Sequence, residues 1–181
     1  MKSLILHSCC GPCSTIAIER LTKMFDISIL YYNPNIDSLE EFDKRLNNQR
    51  RFILEYRPNI KLIEVEYDHR QFLSYISEHE LDIEGGKRCK LCIRLRLEKT
   101  NELRKLLGID LFTTTLSVSP YKDSKYIVKI GKEIDNSFYE VDFSEDEGYL
   151  KSLKLSKEYS LYRQKYCGCE FSKSNIKRKN V

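Results

Sequence analysis

"LILHSCCGPCS", residues 4–14, runs from an apolar stretch straight into three cysteines, Cys9, Cys10 and Cys13. Residues 3–8 read as a buried strand, and 13–25 as a helix carrying Ile16, Ile18 and Leu21. A strand, loop and helix in that order often hold a phosphate on free backbone N–H groups. Here the loop has one glycine, Gly11, and Pro12 removes a donor. The unit keeps the layout of a ligand-binding α/β turn and fills it with thiols, which argues against a nucleotide there.

The alternation continues along the chain. "DISILYYNP" at 26–34 reads as a second strand, and Ser38 opens a helix to about Tyr56 with Leu39, Phe42, Leu46 and Ile53 at helical spacing. "IKLIEVEY" at 60–67 is a third strand, followed by a helix over 69–80. A helix from Lys87 to Leu107 and a β-branched fourth strand, "DLFTTTLSV" at 110–118, come next. Residues 124–135 read as a helix, "SFYEVDF" at 137–143 as a fifth strand and 149–166 as a final helix. This order predicts an α/β fold: a mostly parallel sheet with helices on both faces and a helical C-terminal segment. Ligands of such sheets sit outside the carboxyl ends of the strands. With 181 residues and no repeat, linker or low-complexity segment, one domain over 1–181 is expected.

A hydrophobic fraction of 41% and a charged fraction of 32% describe a globular chain. No apolar run approaches the roughly 20 residues that span a bilayer, and the N-terminus lacks a signal-peptide layout. A cytoplasmic protein without a membrane partner is expected.

Seven cysteines then need a reason, since a reducing compartment and an odd number both argue against a disulfide framework. They fall into three clusters, Cys9-Cys10-x-x-Cys13, Cys89-x-x-Cys92 and Cys167-x-Cys169. Structural core thiols would be scattered among apolar positions. A redox dithiol would explain Cys89-x-x-Cys92 alone. Soft-metal ligation explains all three clusters. One tetrahedral zinc would leave three thiols over, and a cubane takes up to four. Seven suffice for one cluster and a second metal with an open position.

The blocks "LHSCCGPCS", "YYNPNI", "EGGKRCKLCIRLRLEKT", "FTTTLSVSPYKD" and "LYRQKYCGCEFS" together resemble the QueH-type epoxyqueuosine reductases, in the family's order and over residues 4 to 172. The resemblance implies a Rossmann-like sheet similar to the adenine-nucleotide α-hydrolase type. It also implies reduction of epoxyqueuosine to queuosine in tRNA by a 4Fe-4S cluster beside a second metal ion, iron or zinc. Cys9, Cys10, Cys89, Cys92, Cys167 and Cys169 match the family's metal-binding cysteines. Cys13 stands where some members use Asp, which implies a softer ligand to the second metal. Asp123, after Lys122, stands where Asn is more usual.

Turning an epoxide into an alkene takes two electrons and two protons, with oxygen leaving as water. Side chains do not supply such electrons, and no G-x-G-x-x-G occurs, so a metal cofactor and an external electron donor are expected in place of a bound dinucleotide. His7, Tyr121 and Lys122 lie near predicted strand ends and are the candidate proton donors. His7 reads more readily as a satisfied core histidine or one that supports a metal ligand, and Tyr121 and Lys122 read equally as RNA contacts. Residues 87–105 hold eight Lys or Arg against two Glu, and the tail 173–181 adds four with no acid. Arg88, Arg94, Arg96 and Lys122 are therefore the candidate contacts to a tRNA bearing the queuosine precursor in its anticodon. A solvated helix face and a zinc-stapled RNA-binding module without catalysis are the plainer readings of the same features.

Overall fold

The computed structural model describes residues 1–179. Four strands, β1 (Lys2–Ser8), β2 (Phe25–Tyr31), β3 (Lys61–Glu64) and β4 (Leu111–Thr114), form one sheet in the order β3-β2-β1-β4. Every pairing is parallel, with Leu6 of β1 opposite Ile29 of β2 and Thr113 of β4. The helices α1 (Gly11–Leu21), α2 (Leu39–Tyr56), α3 (His69–Tyr75), α4 (Lys87–Leu106), α5 (Ser124–Ile134), α6 (Gly148–Glu158) and α7 (Glu170–Lys179) complete the predicted α/β fold. No helix is long and apolar enough to cross a membrane among the described residues.

β1 is the central strand, and Leu4, Ile5 and Leu6 are fully buried. Their side chains alternate between two cores, as the two-residue period of a strand requires. Leu4 and Leu6 pack with Ile16, Ile29 and Phe52, whereas Ile5 packs with Leu30, Leu97 and Phe112. Ser38 caps α2 by accepting from the Glu41 backbone N–H, so that helix starts where the sequence places it. Leu39, expected on its apolar stripe, lies in the first turn and is exposed.

The helices expected over 13–25 and 69–80 end at Leu21 and Tyr75, the strand expected at 60–67 covers Lys61–Glu64, and three further elements differ more. β4 ends at Thr114, whose hydroxyl accepts from the Leu116 N–H and turns 115–118 into a short 3-10 helix. "SFYEVDF" is no fifth strand: it meets β4 only at Phe112 and Phe138. Beyond Tyr139 the side chain of Ser117 takes over, bonding the Val141 carbonyl and the Phe143 N–H in place of a ladder. The last predicted helix stops at Glu158, because Ser160 adopts φ +48 and the Leu161 N–H turns back to the Ser156 carbonyl. An irregular stretch then carries the chain to Cys167, before α7. Of the basic tail expected at 173–181, residues 180 and 181 lie outside the described residues, and Lys173 pairs with Asp37 at 2.8 Å.

The rings of Phe112 and Phe138 meet edge-on with their centroids 5.2 Å apart. α5 can approach this pair only because residue 131 is glycine, since a Cβ there would overlap the Phe138 ring. Gly131→Ala is expected to lower stability by about 1–3 kcal/mol through overpacking. Thermal unfolding, falling several degrees relative to the parent chain, checks it.

Candidate metal centre

The strand order reverses between β1 and β4, because the chain reaches β3 on one side before crossing to the other. Such a reversal opens a crevice at the carboxyl edge, where flanking connections leave in opposite directions. Cys9 follows β1 and Thr115 follows β4, and the two meet there. The Thr115 Oγ1 lies 3.4 Å from the Cys9 backbone N and 3.7 Å from its Sγ.

The three cysteine clusters converge at this edge, as metal ligation requires. Cys10 occupies the N-cap of α1 and Cys13 its first turn. The sulfurs of Cys9, Cys10 and Cys13 lie within 4.8 Å of one another. Cys89 sits in the first turn of α4, where its sulfur accepts from the Gly85 N–H at 3.3 Å, and Cys92 follows on the next turn. Cys167 and Cys169 lie immediately before α7, joined by Gly168 at φ +143. Six of the seven, all but Cys10, line one cleft of about 630 Å³. Each cluster thus stands at a helix N-terminus, where free N–H groups and the helix dipole favour thiolate over thiol.

The electrostatics divide the sulfurs. Hydrogen bonds from Cys10 and Cys13 hold the Cys9 thiol well below its ordinary range, and contacts with Cys10 and Cys9 push Cys13 well above it. Burial opposes ionisation of Cys167, but Lys122 and Arg96 outweigh it and lower its pKa. Burial pushes Cys169 up to about 12. Lys122 donates to the Cys167 sulfur at 3.0 Å, and its own pKa is raised by the charge on Cys167. Arg96 donates to the Cys92 carbonyl at 3.0 Å and to the Cys92 sulfur at 3.3 Å.

These placements revise several sequence expectations. His7 is fully buried and does not line the cleft. Its Nε2 bonds the Tyr32 carbonyl at 3.0 Å and its Nδ1 the Thr114 hydroxyl at 2.9 Å. Burial lowers its pKa to about 4, so it is a neutral core histidine holding β1 against its neighbours. Arg96, expected to face RNA, is 2% exposed and turned inward to Cys92. Arg88 is also buried, donating to the carbonyls of Glu80 and Asp82 and lying over the Phe171 ring. Arg94 stays at the surface, paired with Glu133 at 2.8 Å and with Glu98 at 3.6 Å. Tyr121 stands 89% exposed at the cleft mouth, and Lys122 points into it.

Other residues at the centre escaped the sequence reading. Gln164 donates to the Cys10 sulfur at 3.2 Å, from an irregular stretch that carries no periodic signal. Arg45 did carry one, since it falls on the Phe42–Leu46–Ile53 stripe where a charge needs an internal partner. Its Nε donates to Glu41 at 2.7 Å, its Nη1 to the Cys167 carbonyl at 3.0 Å and its Nη2 to the Tyr166 carbonyl at 3.4 Å. Asp37 holds the same stretch from beside it, with its N–H on the Gly168 carbonyl and its carboxylate accepting from Tyr166.

The donor set fits a metal ion or a metal–sulfur cluster. Seven thiols converge, and two cations beside them, buried Arg96 and half-buried Lys122, face sulfur. Burying a cation costs several kcal/mol unless an anion meets it. Ligating thiolates meet that requirement, whereas neutral thiols do not.

Residues 4–175 match the family model described as "Epoxyqueuosine reductase QueH". Curated proteins of that name from Streptococcus pyogenes serotype M1 and Staphylococcus epidermidis are 33% and 34% identical, over 94% and 93% of this chain and 70% and 75% of their own lengths. The protein of the same name from Thermotoga maritima is 33% identical over 95% of this chain and 91% of its own.

The Arg45 contacts can be tested by removing them. Arg45→Ala leaves Glu41, only 12% exposed in its side chain, without its cation and with the Tyr162 hydroxyl as donor, and removes two bonds to the Cys167 loop. Stability is expected to fall by about 3 kcal/mol, the lower end for breaking a buried pair. The urea midpoint at unchanged slope measures it, and Arg45→Lys should fall between the two.

Proposed function

This chain belongs to the epoxyqueuosine reductase QueH family, and we propose that it reduces epoxyqueuosine in tRNA to queuosine with a 4Fe-4S cluster and an adjacent metal ion, iron or zinc. The observation that carries the reading is the cleft at the switch point, where six thiols, with Cys10 beside them, meet the cations of Arg96 and Lys122. The seven cysteines would hold both metal centres, which when bound supply low-potential electrons and a Lewis acid for the epoxide oxygen. An external donor provides the two electrons. With two protons these open both C–O bonds and release the oxygen as water.

The chain's own side chains receive the substrate. An anticodon base must leave its stack to enter a cleft, and aromatic faces at the mouth hold it. Tyr121, Tyr126 and Tyr149 line the mouth, with Lys90 over the Tyr126 ring at 5.2 Å and Arg163 over the Tyr149 ring at 5.9 Å. The phenol of Tyr121, exposed at the cleft mouth, is assigned the proton transfer. Lys90, Arg163 and Lys165 are exposed on the same rim, so they replace Arg88 and Arg96 as the phosphate contacts.

Two measurements test the reading. Protein purified without oxygen should be brown, contain iron and acid-labile sulfide, and convert epoxyqueuosine in tRNA. Cys89→Ala and Cys169→Ala should bleach it and abolish turnover. Zinc alone, with no labile sulfide and no conversion, would leave the zinc-stapled RNA module instead. For the rim, Lys90→Glu with Arg163→Glu should weaken tRNA binding. The slope of log K against log[salt] should flatten by about 1.4, two contacts at about 0.7 each for single-stranded RNA. An unchanged slope would place the phosphate path elsewhere.

A further inference from the structure

Arg96 and Lys122 reach the same cleft from different elements. Arg96 lies one turn beyond Cys92 on α4, and its guanidinium folds back along the helix to grip the backbone carbonyl and the sulfur of that one residue. Lys122 comes from the connection between the 3-10 turn and α5, and its ammonium ends 3.0 Å from the Cys167 sulfur. The two thiols they address belong to different cysteine clusters, 75 positions apart in sequence. Among the described residues neither cation has a carboxylate within ion-pair distance, although the surface is rich in such pairs. A cation that served only to stabilise the fold would be expected to pair with a carboxylate. A cation that served RNA would be expected at the surface, and Arg96 is not there.

We propose that Arg96 and Lys122 are positioning residues for electron transfer: they donate charged hydrogen bonds to the Cys92 and Cys167 thiolates and thereby raise the reduction potential of the iron–sulfur centre those thiolates hold. The proposal rests on the reading that such a centre is present. Each electron accepted makes the centre more negative, so a nearby positive donor stabilises the reduced form more than the oxidised form. The burial of Arg96 strengthens the effect, since water screens it less than it would at the rim, and half-buried Lys122 is screened less than an exposed cation. Arg96, fixed by a second bond to the backbone, supplies a constant field. Lys122 borders the open cleft, so a bound base would exclude water from its surroundings and strengthen its pull on the same sulfur.

The test is a potentiometric titration of the anaerobic, cluster-loaded full chain without tRNA, followed by electron paramagnetic resonance. In Lys122→Met the ratio of reduced to oxidised centre at a fixed potential should drop about tenfold, a midpoint more negative by about 59 mV for a one-electron couple. Lys122→Arg, which keeps a charged donor, should return the midpoint toward that of the parent protein. Arg96→Lys should shift it less than Arg96→Met, in the same downward direction. An intact cluster in Lys122→Met with an unmoved or raised midpoint overturns the proposal and leaves the assigned function standing. Should Lys122→Met bind no cluster, Lys122→Arg must load one near the parent midpoint, failing which the proposal falls. A parent protein without iron and labile sulfide overturns the proposal and the assigned function together.

Discussion

The structure depends on the reversal of strand order beside β1. Because β2 and β3 lie on one side of β1 and β4 on the other, the segments leaving β1 and β4 diverge and leave space above the sheet. β1 is the strand from which two cores grow, so its carboxyl end is held rigidly. Cys9 and Cys10, directly after Ser8, are therefore placed with little freedom. The remaining cysteines are brought to that point by segments whose own conformations are less regular.

Those segments solve a common physical problem by similar means. A thiolate must be generated and kept inside a protein, which desolvation opposes. The chain answers with three helix N-termini, at α1, α4 and α7, and with cations that have sulfur in place of carboxylate to face. The Cys167 to Cys169 loop has the least intrinsic order and the most external support. Arg45 holds its carbonyls from α2, and the Asp37 N–H takes the Gly168 carbonyl. Gly168 can sit there because its φ of +143 suits glycine and a Cβ would crowd the Asn35 amide nitrogen.

The layout also separates two kinds of positive charge that the sequence presents as one. The eight cations of residues 87–105 look like a basic helix face. In the fold Arg88 and Arg96 turn inward, Arg94 is tied to Glu133 and Glu98, and Lys90 remains at the cleft rim. A helix of 3.6 residues per turn distributes neighbours around its axis, so charge density along a segment does not say which charges meet solvent.

The sequence by itself determined the α/β class, the four strands of the parallel sheet and the three cysteine clusters, because apolar periodicity and thiol spacing are local properties. It also carried the family resemblance that the relatives bear out. Tertiary structure decided the rest. The fifth strand failed because the hydroxyl of Ser117, remote in sequence, captured the backbone of 141–143. His7 became a neutral core group because β2 and β4 close over both its nitrogens. Arg45 and Gln164 joined the centre through contacts spanning more than 100 residues, which no local pattern encodes. Whether a cation faces water or sulfur is set by what packs against it, and only the fold supplies that neighbour.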